Sequence, residues 1–212
     1  MAKLSFDNVQ EYLISLVPTR EPEMQKMEKY ARKTDFPIIG PAAGYVCYQV
    51  ARMLGARSVF EMGSGYGYST AWFAKAVKEN GGGVVHHVVW DEKLSKLAVG
   101  HLSKLGYEGM IRYHVAEAIE TLRSIPGPFD LIFNDINKEA YPESLPLIKD
   151  KLRRGGVLII DNILWSGRIF DKRARDADTA AIRLFTRAIT TDRDWIVTLH
   201  PVRDGMIVAY KE

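Results

Sequence analysis

From Ser58 onward the chain alternates between short apolar runs and longer amphipathic stretches, and that alternation restricts its fold more than any other feature. The runs SVFEM, VVHHVVW, IRYHV, FDLIFND and GGVLIID have the length and β-branched content of buried strands. Between them fall helical patterns: Ser69 to Lys78, Asp91 to Leu105, a short piece through Leu122, and Pro142 to Leu152. The second carries a clear apolar stripe of Leu94, Leu97, Ala98, Leu102 and Leu105. A long amphipathic helix is predicted over Asp178 to Thr191. Strand–helix alternation of this kind predicts an α/β fold, a parallel sheet with helices on both faces. The end of the chain departs from it. DWIVTLHPV and GMIVAYK are separated only by Arg203-Asp204-Gly205, whereas a parallel neighbour needs a crossover of about a dozen residues. These two strands must pair antiparallel, which predicts a mostly parallel seven-stranded sheet with a reversed last strand.

At 212 residues, with no repeat or long linker, the sequence predicts a single domain over 1–212. Residues 1–55 read as a helical cap and residues 56–212 as the α/β core. In the cap, Val9, Leu13, Leu16 and Val17 recur at helical spacing before Pro18. Met24, Met27 and Tyr30 do so after Pro22, and Ala43 to Leu54 follows Gly40-Pro41. The formal charge of +3 is too small to argue for a nucleic-acid partner. Basic residues at Arg153-Arg154 and at Arg168, Lys172, Arg173 and Arg175 read first as solvated faces and second as attraction for an anionic substrate. Cys47 is the only cysteine, in the apolar run YVCYQVARML, and reads as a small buried hydrophobe. With no disulfide possible, no signal pattern in MAKLSFDNVQEYL and no run near ~20 apolar residues, a cytoplasmic protein without a membrane span is expected.

EMGSGYGYST follows the first strand of the core and opens a helix. Its glycines at 63, 65 and 67 allow a tight turn and close approach of a ligand at a helix amino terminus. The dinucleotide spacing G-x-G-x-x-G is absent, because Tyr68 stands where the third glycine would fall. Glu61, just before the turn, would repel a pyrophosphate and suits a cationic amino-acid group. This favours S-adenosylmethionine over a nicotinamide dinucleotide, and an oxidoreductase is the weaker reading. After the second strand, Asp91 either holds ribose hydroxyls or caps the next helix. Trp90 either lies against an adenine ring or joins the core, and Glu117 either accepts from an adenine amino group or serves the helix dipole.

Two strands end in acid-plus-amide pairs, Asn134-Asp135 and Asp161-Asn162. In an open α/β sheet, strand ends are where ligands gather. Asp135, Asp161 and Asn162 would then offer three oxygen ligands, a set that selects Mg²⁺, Mn²⁺ or Ca²⁺ over zinc. Such an ion leaves about three positions for water or substrate, and two adjacent ring hydroxyls would fill two of them. Lys138, three residues after Asp135, can project to the same side and act as a base.

With these residues in place, the chain resembles the cation-dependent O-methyltransferases, the group of catechol and caffeoyl-CoA O-methyltransferases and their small bacterial relatives. VFEMGSGYGYST, DLIFNDINKEAY, GGVLIIDNILWSGRI and ARDADTAAIRLF carry the likeness, which spans nearly the whole chain. It implies a Rossmann-like S-adenosylmethionine methyltransferase fold and a metal held by Asp135, Asp161 and Asn162, with Mg²⁺ the first choice. Lys138 is the implied general base, also facing substrate. Glu61, Gly63, Tyr66, Gly67 and Ser69 are the implied cofactor residues, bordered by Ile39 and Asp135, and Trp165 helps form the acceptor pocket. A homodimer acting on a small phenolic acceptor, catechol-like or phenylpropanoid, is expected. Two departures stand out. Val89 occupies the place of the family's ribose acid, two residues before Asp91, and Asn137 and Asn134 replace an aspartate and an aliphatic residue. The first motivates an alternative, a degenerate member that binds ligand without turnover.

Overall fold

A computed structural model describes residues 5–212. Among them, seven strands form one sheet in the order β3-β2-β1-β4-β5-β7-β6. They are β1 (Ser58–Met62), β2 (Val84–Val89), β3 (Ile111–Val115), β4 (Phe129–Asn134), β5 (Leu152–Ile160), β6 (Trp195–His200) and β7 (Met206–Lys211). The first five run parallel, and β7 lies antiparallel between β5 and β6. The expected single reversed strand is therefore present, inserted one place in from the edge because the hairpin folds back onto β5.

Eight α-helices surround the sheet: α1 (Phe6–Ser15), α2 (Pro22–Thr34), α3 (Gly40–Met53), α4 (Tyr68–Glu79), α5 (Glu92–Lys104), α6 (Ala118–Ser124), α7 (Tyr141–Lys151) and α8 (Ala177–Thr191), counted among the described residues. Their starts follow from local chemistry. Pro22 opens α2 without forfeiting a needed N–H, and the carboxylates of Asp91, Glu117 and Asp176 accept from first-turn backbone N–H groups of α5, α6 and α8.

Alternation along the central strands divides the core between the two faces of the sheet. Val59, Leu131, Phe133 and Ile159 join one buried cluster with residues of α2 to α5, including Cys47 and Phe73. Phe60, Ile132, Leu158 and Ile160 join the other, with Leu122, Ile148, Ile182 and Phe185 from α6 to α8. Both faces being covered, Val59 to Met62, Leu131 to Asn134 and Gly156 to Ile160 are buried without a break. The cap is less uniform than its periodicity suggested. Met24 and Met27 are buried, but no residue of α1 is, and Leu16 just beyond it is 60% exposed. No helix among the described residues is long and apolar enough to cross a membrane.

Strand order changes direction at the β1–β4 boundary, leaving a crevice beyond the carboxyl ends of these strands. Register then decides which side chains meet there. Met62 pairs with Asn134, and Asn134 with Ile160. The next residues, Gly63, Asp135 and Asp161, therefore emerge side by side. The Asp135 N–H donates to the Met62 carbonyl at 3.0 Å and the Asp161 N–H to that of Asn134 at 3.2 Å.

Candidate active site

A cavity of about 1230 Å³ opens at this crevice. Its wall includes Gly63 to Tyr66, Ser69, Trp90 and Glu117, and with them Asp135, Lys138, Asn162, Trp165 and Arg203, together with Ile39. Most of the residues singled out by sequence thus share one chamber.

The glycine turn is built tightly against the neighbouring strand end. Gly63 has φ +84°, and a Cβ there would run into the Asp135 backbone carbonyl. Gly67 has φ +90° and opens α4, but a Cβ on it would press on Ala98 and Leu102 of α5. Its requirement is packing against α5, and the cavity wall does not include it. Tyr66 and Ser69 do line the wall, with the Tyr66 hydroxyl donating to the Met27 carbonyl at 3.0 Å and so tying the turn to α2.

Glu61 lies beneath the turn rather than in its wall. Its side chain is wholly buried, its Oε2 accepts from the Thr70 hydroxyl, and Oε1 has no hydrogen-bond partner among the described residues. Burial pushes its carboxyl up to about 7, despite hydrogen bonds that favour the charged form. The Thr70 Oγ1 lies 2.9 Å from Nδ1 of His87, which burial holds at about 3, hence neutral.

On the adenosine side, Asp91 and Glu117 both serve as helix caps. Asp91 is the cap of α5: its Oδ1 accepts from the N–H groups of Lys93 and Leu94 at 2.6 and 3.1 Å. The structure does not bring it to the cavity wall, which is formed there by Val89, Trp90 and Leu94. Its carboxylate is instead engaged by the first turn of α5. Glu117 both lines the wall and caps α6, accepting from Ile119 and Glu120 N–H at 3.0 and 2.7 Å. Trp90 is 84% exposed at the cavity mouth, so it is not a core residue.

The two acidic strand tips differ. Asp135 is part-exposed in the wall, and its Oδ1 accepts from Lys138 Nζ at 2.8 Å. That lysine is nearly buried, also donates to the Ile136 carbonyl at 3.1 Å, and sits 5.0 and 5.9 Å from the ring centroids of Tyr141 and Trp165. A surface lysine would have none of these. Asp161 is fully buried behind the wall: Oδ2 accepts from Arg203 Nη1 at 2.8 Å, while Oδ1 has no partner among the described residues. Burial first, and the neighbouring Asp135 second, raise its carboxyl to about 7, with Arg203 pulling the other way. Asn162 adopts φ +61° and lines the cavity. Asn134, by contrast, donates through Nδ2 to the Ser144 hydroxyl at 3.0 Å, so it joins β4 to α7 and takes no part in the chamber.

The profile of the O-methyltransferase family matches residues 20–212. The chain belongs to that family. A catechol O-methyltransferase of Niastella koreensis is 25% identical to it over 186 residues, covering 85% of this chain and 83% of its own. Among solved structures, the O-methyltransferase TomG of Streptomyces achromogenes, involved in tomaymycin synthesis and determined with S-adenosylmethionine, superposes with a TM-score of 0.85. It is 26% identical, and the match covers 96% of each chain. An O-methyltransferase of Bacillus cereus in complex with S-adenosylhomocysteine shares the fold with a TM-score of 0.87, at 22% identity over 98% of this chain and all of its own.

Two residues of this candidate site are not legible in the sequence. Tyr141 donates its hydroxyl to the Asp161 carbonyl at 3.0 Å and lays its ring beneath Lys138; the only hint was its place three residues after the lysine. Arg203 read as part of a hairpin loop. Its contact with Asp161 bridges 42 residues of sequence, and no local pattern signals that.

Proposed function

We propose that this chain is a divalent-metal-dependent O-methyltransferase that moves the methyl group of S-adenosylmethionine to a hydroxyl of a catechol-like or phenylpropanoid acceptor. The observation that carries this reading is the meeting of Asp135 and Lys138 in the cavity wall, with Asp161 buried just behind them, beside the glycine turn at the same strand ends. Donor and acceptor sites on one rim give the proximity that an in-line transfer requires.

The metal is argued from the donor set. Asp161 Oδ1 is a buried carboxylate oxygen with no partner among the described residues, and Asp135 and Asn162 lie beside it on adjoining strand ends. Two carboxylates and an amide oxygen suit a hard dication, Mg²⁺ first, with Mn²⁺ or Ca²⁺ as alternatives. When bound, the ion would lower the pKa of an acceptor hydroxyl and fix its orientation. The protein's own residues do the rest. Lys138 Nζ, once it has released its own proton to solvent and stands as the free amine, takes the hydroxyl proton. Asp135 and the Ile136 carbonyl hold that amine in place, and Trp165 offers a flat wall to an aromatic acceptor. The cofactor would lie between Ile39, the turn at Gly63 to Ser69, and Trp90, with Glu117 within the same wall. Glu61 supports that turn from below. The exposed Phe6, Tyr12 and Leu16 at and beside α1 offer an apolar surface to a second copy, in keeping with a homodimer.

Mass-spectrometric product analysis over catechols, flavonoids and caffeoyl-CoA, with Mg²⁺ and with chelator, tests the reading. Methylated product is expected only with the metal, and Asp135→Ala is expected to abolish it while calorimetry still records S-adenosylmethionine binding. Binding of the donor with no product from any acceptor would instead favour a protein that holds ligand without turnover.

A further inference from the structure

Among the described residues, Arg203 is the one cation of the chamber wall that the proposed chemistry leaves unused, and several contacts fix its placement. It stands at φ +52°, in the left-handed region that L-residues rarely adopt. The strain is held from both sides. Gln10 of α1 accepts from the Arg203 N–H through Oε1 and donates to the Pro201 carbonyl through Nε2 at 2.9 Å. On the other side, the Gly205 and Asp204 carbonyls accept from Ile163 and Leu164. The hairpin is thereby locked against both the cap and the loop that follows Asp161. The guanidinium then reaches Asp161 Oδ2 at 2.8 Å, from a side chain 30% exposed to one fully buried.

The charge inventory gives this contact its meaning. In formal charge, with both carboxyls ionised as a bound cation requires and before Lys138 releases its proton, Asp135 and Asp161 bring two negative charges, and Lys138 and Arg203, each paired with one of them, bring two positive charges. A dication entering the strand-end cluster therefore meets a neutral set of side chains, where Lys138 alone would have left a net negative one. It must also share Asp161 with a guanidinium already hydrogen-bonded to it. Resting on the metal-site reading above, we infer that Arg203 is a resident counter-cation of the metal centre, which competes with the divalent ion for Asp161 and keeps the centre assembled when the ion is absent. Divalent binding is consequently weak and exchangeable, and the buried carboxylate never stands uncompensated.

The test is calorimetric titration of the full-length, chelator-treated protein with MnCl₂ alone, without donor or acceptor. Arg203→Gln keeps a hydrogen-bond donor but removes the charge. Arg203→Gly also removes it and relieves the left-handed backbone, so it serves if the glutamine variant does not fold. Arg203→Lys keeps the charge. A neutral variant is expected to bind Mn²⁺ at least about tenfold more tightly than the wild type, and the lysine variant to stay within about threefold of it. Thermal unfolding in chelator should show the neutral variants destabilised and then rescued by Mn²⁺ more than the wild type is. Equal Mn²⁺ affinity in wild type and neutral variants would overturn the inference while leaving the metal site standing. Absence of Mn²⁺ binding in all of them would overturn the metal reading and the inference together.

Discussion

Glu61 offers the sharpest test of how the glycine turn is supported. Its carboxyl ionises near 4.5 in the unfolded chain and is raised to about 7 by complete burial in the folded protein. Between those values the folded state binds the extra proton, so stability must fall as pH rises through that window. At about 1.4 kcal/mol per pKa unit, ionising this one buried group costs the fold about 3 kcal/mol by pH 8, and about 2 to 3 kcal/mol of that falls between pH 5 and 8. Glu61→Gln is the appropriate perturbation, because its amide oxygen still accepts from the Thr70 hydroxyl while nothing titrates. Urea unfolding of wild type and variant across pH 5 to 8, in chelator, yields the difference between them at each pH. Subtraction removes the contribution of Asp161 and every other common group. The variant is expected to gain on the wild type by about 2 to 3 kcal/mol over that range. A difference that stays flat with pH would show that Glu61 ionises normally and that burial does not govern it.

Three further outcomes follow from the geometry. Lys138→Met should lower kcat by about 10²–10⁴-fold, as expected for loss of a proton-transfer group, with the dissociation constant for S-adenosylmethionine unchanged by calorimetry. Gly63→Ala places a Cβ against the Asp135 carbonyl at φ +84°, so it should cost more than about 2 kcal/mol by denaturant unfolding and reduce donor binding as well. Asp91→Ala removes the cap of α5 and should cost about 1 kcal/mol in the same assay, with donor affinity little altered.

How far the sequence could be read depended on whether the backbone or a distant side chain decides the outcome. Strand alternation, the tight turn and the acid at each strand end are local patterns, and parallel register carries them to one rim: once Met62 pairs with Asn134 and Asn134 with Ile160, Asp135 and Asp161 have no other place to emerge. The chemistry-bearing pair was legible for that reason. Asp91 and Glu117 are different, because an acid at a strand–helix junction serves a cap and a ligand equally well by type and spacing, and only the direction of the carboxylate separates the two. Asn134 shows the same limit from the opposite face, where period-two alternation turns it from the crevice towards Ser144. Arg203 lay beyond reading altogether. Its role depends on a hairpin that folds β7 in beside β5, on Gln10 of a helix at the other end of the chain, and on Asp161 across 42 residues. Three separate tertiary contacts turn a loop arginine into the partner of Asp161 in the proposed metal centre. A family likeness therefore suggests the proposed metal ligands and base, but not the cation set against them, and that cation is where the metal affinity proposed for this chain is expected to diverge.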